Sequence, residues 1–90
     1  MITLDLPPVL RPFAAGAERV TVDPGPDPTV RSVLTALDAP LRRRLIDEQG
    51  AVRRHVNLFL GQDNVRDLAG PDTPLTDGDH LLILPSVAGG

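Results

Sequence analysis

The sequence predicts an α+β domain: a mixed sheet of four to five strands, covered by one main helix and a short helical turn. Three observations carry this expectation. Ile2, Leu4 and Leu6 alternate with polar residues, the period of a half-buried strand. Val30, Val33, Leu34 and Leu37 fall at i, i+3, i+4 and i+7, the apolar stripe of an amphipathic helix. His80 precedes four consecutive apolar residues, Leu81-Leu82-Ile83-Leu84, which read as a strand covered on both faces or central in its sheet.

Taken in order, the first strand runs from Met1 to Leu6 and stops at Pro7-Pro8, neither of which can donate to a ladder. A loop follows through Arg11-Pro12-Phe13 to Gly16, with Leu10 and Phe13 folding back onto the core. Val20 and Val22, alternating with Arg19 and Thr21, make a second strand that pairs antiparallel with the first. Asp23 to Pro28 contains three prolines and a glycine, a strong break. The helix starts next, capped by Asp27 or by Thr29; Pro28 suits its first position if Asp27 is the cap. Pro40 opens the shorter helical turn with Leu41, Leu45 and Ile46 inward, Arg42-Arg43-Arg44 outward, and Gly50 at its end.

Arg53 to Leu60 reads as a third strand, with Val56, Leu58 and Leu60 on one side and His55, Asn57 and Phe59 on the other. Gly61 to Asn64 is a turn, Val65 to Leu68 a short further strand, and Ala69 to Asp79 a loop closed by the tight-turn pair Asp77-Gly78. One amphipathic helical layer covers one face of a sheet. The first and last strands are the most apolar and are therefore placed side by side at its centre. That order is the β-grasp, or ubiquitin-like, topology. It assigns residues 1–84 to the folded domain and residues 85–90 to a flexible C-terminal tail.

Composition bounds the function. Ninety residues make one small domain, which buries only about 60–65% of its unfolded surface. Leu, Ile, Val and Phe supply 28 of the 90, enough for a core. The absence of Cys excludes disulfides, Cys-based zinc sites and thiol catalysis. There is no apolar run near the ~18 residues a membrane helix needs, and no basic-then-apolar leader, so the cytoplasm is the expected location. A net charge of −3 argues against nonspecific nucleic-acid binding. All nine basic residues are Arg, so no side-chain amine can be acylated.

The functional signal lies in Pro85-Ser86-Val87-Ala88-Gly89-Gly90. Fully extended, six residues reach about 20 Å, far enough to carry a terminal carboxylate into a partner's active site while the body docks outside. Two glycines let the segment pass a narrow channel and leave the carboxylate unhindered. ATP can activate such a carboxylate as an acyl-adenylate, open to attack by sulfur or nitrogen. The plain alternative is a frayed end, but the segment continues directly from the most apolar strand.

At these residues the chain resembles the MoaD/ThiS family of ubiquitin-like sulfur carriers. The likeness rests on Ile83 to Gly90, on Val9-Leu10-Arg11-Pro12-Phe13, on His55 to Leu60 followed by Asp63 to Arg66, and on Pro74 to Asp79. Within the family it is most similar to the cysteine-biosynthesis carriers, and at the tail to the small subunit of molybdopterin synthase. The resemblance implies that a ubiquitin-activating-like adenylyltransferase and sulfurtransferase uses ATP and a sulfur donor to convert the Gly90 carboxylate to a thiocarboxylate. It further implies that Ser86, Val87, Ala88 and Gly89 enter the partner's active site. The acceptor would be a cysteine-synthase-like enzyme or a large molybdopterin synthase subunit, and a metalloprotease would process the tail. The carrier binds no cofactor and catalyses nothing itself. Family members also dock through an apolar surface beside the tail; here the candidates are Phe59 and Leu84, with core packing as the equal alternative.

Other polar groups carry weaker signals. Two His are too few for a typical metal site, and His80 beside Asp77 and Asp79 is better explained by an Asp-rich turn entering a strand. His55 and Arg53-Arg54 read as a solvated strand face. Arg42-Arg43-Arg44 reads as a solvated helix face, with contact to an acidic partner as its alternative.

Overall fold

The computed structural model describes residues 1–85. Strands β1 (Ile2–Asp5), β2 (Arg19–Val22), β3 (Val56–Leu60), β4 (Asp63–Asn64) and β5 (His80–Pro85) form one sheet in the order β2-β1-β5-β3-β4. β1 pairs antiparallel with β2 (Ile2 with Val22) and parallel with β5 (Leu4 with Leu81). β5 then pairs antiparallel with β3 (Leu58 with Ile83). The first and last strands are thus neighbours, and β5 is hydrogen-bonded on both sides, as its apolar run and the β-grasp order require.

Helices α1 (Val30–Thr35) and α2 (Ala39–Leu45) cover one face. Ile2, Leu4, Val56, Leu58, Leu81 and Ile83 point from the sheet into the same core as Val30, Val33, Leu34, Leu41 and Leu45. Thr29, not Asp27, caps α1. The Ser32 amide donates to Thr29 Oγ1 at 3.1 Å, and the Thr29 amide donates to Ser32 Oγ at 2.9 Å, a reciprocal capping box. The expected main helix and short turn are two helices of six and seven residues. Pro40 lacks the N–H that would continue α1, so the stripe ends with Leu37 buried in the turn between them.

Four expectations change. The segment after Pro7 is not a loop but a 3-10 helix, Pro8–Ala14, which buries Leu10 and packs Phe13 against the core. α2 does not reach Gly50: Ile46 is already extended and bridges Val52, and Gly50 sits in a turn whose amides bond Asp47 Oδ1. β3 begins at Val56, so Arg53, Arg54 and His55 form a turn before it. Finally, Val65–Asp67 is a 3-10 turn and not a strand, because Asn64 Oδ1 accepts from the Arg66 amide at 3.0 Å and diverts the backbone from the ladder. The short strand is Asp63–Asn64 instead.

Candidate functional site

β5 delivers the chain to its C-terminal segment, and both alternatives for its apolar run can be judged from burial. Leu81 and Ile83 are fully buried, while Leu82 and Leu84 are 42% and 40% exposed. The strand is central but not covered on both faces, because α1 and α2 form a single layer. The opposite face is open along its length.

On that open face Leu82 stands directly across from Phe59, and Leu84 across from Asn57. Phe59 and Leu84 are therefore diagonal neighbours, within reach of each other as side chains across a ladder. Leu82 was the missing member of this row; its parity with Leu84 in the period-2 pattern was the available signal. The row is bounded by polar groups. Toward β2, Arg19 Nε donates to Asp5 Oδ1 at 2.6 Å and His80 Nδ1 lies 3.7 Å from Asp5 Oδ2. Toward β4, Arg66 Nη1 donates to Asn57 Oδ1 at 2.8 Å. His80 thus pairs across to β1 and not within its own turn, where Thr76 N donates to Asp79. Among the described residues no group of three His, Asp or Glu is placed to hold a metal.

Where β5 ends, a cleft of about 170 Å³ opens among Val9, Phe13, Arg44, His55, Leu84 and Pro85. The 3-10 helix supplies Val9 and Phe13, and α2 supplies Arg44, whose guanidinium carbon lies 4.2 Å from the centre of the Phe13 ring. Arg66 also braces the turn carrying Arg53 and His55, donating through Nη2 to the Arg53 carbonyl at 2.8 Å and the Arg54 carbonyl at 3.3 Å. The root of the C-terminal segment is therefore mostly apolar, with the guanidinium of Arg44 at its edge. Arg43 and Arg44 are exposed as expected, but Arg42 is half-buried and donates to the Leu37 carbonyl at 3.1 Å. Ser86, Val87, Ala88, Gly89 and Gly90, the residues expected to work, lie outside the described residues.

Residues 7–90 match the ThiS family. The chain belongs to this family. The sulfur carrier protein CysO of Mycobacterium tuberculosis is 35% identical over 91 residues, covering 99% of this chain and 98% of that one. A crystal structure of the Amycolatopsis orientalis BexX/CysO complex contains a chain that superposes with a TM-score of 0.85 at 30% identity, each chain covered in full. Small archaeal modifier protein 3 of Haloferax volcanii is 45% identical over 67 residues, 71% of this chain and 72% of its own length. The expected family and the β-grasp fold are thereby established. Among the described residues, no helix is long and apolar enough to cross a membrane.

Proposed function

We propose that this ThiS-family chain is a sulfur carrier that works through the main-chain carboxylate of Gly90. A partner adenylyltransferase joins that carboxylate to the α-phosphorus of ATP, and pyrophosphate leaves. Sulfide then attacks the acyl carbon and displaces AMP, leaving a thiocarboxylate. The charged carrier donates its sulfur to a biosynthetic enzyme, cysteine formation being favoured by the likeness to CysO and molybdopterin formation coming next; hydrolysis restores the carboxylate. The chain itself is a substrate in this cycle, not a catalyst. ATP and the sulfur donor are bound by its partners.

The observation that carries this reading is the join of β5 to residues 86–90. The family match runs through Gly90, and those residues follow in sequence a central strand that carries Leu82 and Leu84, with Phe59 across from Leu82. A rigid body thus presents an apolar docking row next to the segment that reacts. With no Cys in the chain, no side-chain thiol competes for the cargo.

The test is the intact mass of the protein after incubation with the adenylating enzyme of the same genome, ATP and sulfide. One oxygen exchanged for one sulfur at Gly90 is expected, and none in the variant lacking Gly90. Unchanged mass with every adenylating enzyme of that genome overturns the reading.

The likeness to an archaeal modifier favours a second reading, in which the same acyl-adenylate is transferred to lysines of other proteins. Isopeptide adducts carrying this chain's Gly-Gly end, found by mass spectrometry of cells expressing it, would support that reading. A phenotype indifferent to deletion of Gly89-Gly90 would instead make the domain a noncovalent interaction module.

A further inference from the structure

The arginines of α2 are not used by the tail chemistry, and the fold gives them company. The turn before β3 brings Arg53 and His55 alongside Arg43 and Arg44, and the four line one notch of about 440 Å³ whose apolar wall is Phe13 and Pro40. Among the described residues, no carboxylate lines it. Among the described residues, none of the guanidinium groups of Arg43, Arg44 and Arg53 lies within ion-pair distance of an acid. Asp47 and Glu48 line an adjoining depression that shares Arg43 and Arg53 with the notch.

This arrangement runs against the charge of the molecule. The chain carries 12 acidic and nine basic residues, yet three of its Arg share one concavity in which like charges repel. Two of the three side chains are also held in place. Arg53 Nε donates to the Arg43 carbonyl at 2.7 Å, and Arg44 stacks on Phe13. Arg66 fixes the Arg53 carbonyl from the other side. Held guanidinium groups lose less freedom when they bind, and their planar fork suits a carboxylate better than an ammonium does.

The position of the notch identifies its occupant. It shares Phe13, Arg44 and His55 with the cleft at the root of the C-terminal segment. An enzyme that grips residues 86–90 must therefore cover it. We propose that the notch receives an acidic segment, rich in Asp or Glu, of the enzyme that activates the Gly90 carboxylate. This rests on the carrier reading above and adds to it an electrostatic half of the docking surface.

The experiment is carrier-dependent exchange of labelled pyrophosphate into ATP by that enzyme. Wild-type protein is compared with Arg43→Glu/Arg53→Glu and Arg43→Lys/Arg53→Lys, each shown by circular dichroism to be folded. The glutamate pair should raise KM for the carrier about tenfold and leave kcat within about twofold, as charges at an interface rim act on encounter more than on the bound chemistry. The lysine pair keeps the charge but loses the fork and should fall between wild type and the glutamate pair, and added salt should raise the wild-type KM while leaving that of the glutamate pair nearly unchanged. A wild-type KM in the glutamate pair overturns the proposal and leaves the carrier reading standing. Absence of exchange with wild-type protein overturns the carrier reading, and this proposal falls with it. A lysine pair as impaired as the glutamate pair assigns the two arginines to the shape of the turn and also overturns it. So do saturable amide shifts at Arg43 and Arg53 on titration of the protein with inorganic phosphate at constant ionic strength, which would place a small anion there.

Discussion

The two faces of β5 are built from the same kind of residue and do different things. Leu81 and Ile83 are sealed under α1 and α2, whereas Leu82 and Leu84 stand about two-fifths exposed on the open face. Nothing in the chemistry of a leucine separates the two pairs. The difference is made by the layer count: two short helices can cover one side of a five-stranded sheet and no more. Apolarity on the inner face is thus explained by stability. On the outer face the proposed carrier function would explain it, as an apolar row on which a partner docks.

The sharpest way to break this comparison is to truncate the two faces separately. Leu81→Ala removes a fully buried side chain and should cost about 2–5 kcal/mol, the range for cavities that surroundings only partly refill. In so small a domain that is a large share of the whole. Urea denaturation followed by far-ultraviolet circular dichroism measures it. A cost below about 1 kcal/mol would mean that the inner face is not the one that holds the fold.

A smaller effect sharpens the same point from the covering layer. α1 has only six residues and leans on its reciprocal cap, so Thr29→Ala should cost about 1 kcal/mol in the same measurement. Ser32→Ala breaks the other half of the box and should cost less, because the Thr29 oxygen still accepts from the Ser32 amide. Equal losses would show that the helix depends on Ser32 Oγ as much as on the cap itself.

Much of this architecture was legible before the structure. The alternation of Ile2, Leu4 and Leu6 and the stripe through Val30 to Leu37 each have one dominant period, the apolar run of β5 is continuous, and an element formed at each. The misreadings fall where local side-chain bonds outweigh pattern. Asn64 turned Val65 to Asp67 out of the sheet, Asp47 closed a turn short of Gly50, and Arg66 held Arg53 to His55 off the strand. The outer row was half visible: Phe59 follows from strand parity and Leu84 from its place just before the C-terminal segment, while Leu82, which shares the parity of Leu84, is masked by the uniform apolar run around it. The cationic notch could not be read at all, because it joins residues 43–44 to 53–55 through a turn whose shape is set by hydrogen bonds to the backbone.

The smallest expected stability effect carries the most information about function. Leu82→Ser leaves the core untouched and removes one member of the pair with Phe59, so it should cost under about 1 kcal/mol. The same substitution takes an apolar side chain from the middle of the proposed docking row, where a partner would otherwise desolvate it. Carrier-dependent pyrophosphate exchange should then show a KM several-fold above wild type, with a similar rise for Leu84→Ser and a larger one for both together. A folded double variant with wild-type KM would strip the outer row of its role and leave the C-terminal segment and the arginine notch as the whole of the recognition surface. A loss of stability as large as that of Leu81→Ala would do more damage, since it would mean that the two faces of β5 are not distinct in the first place.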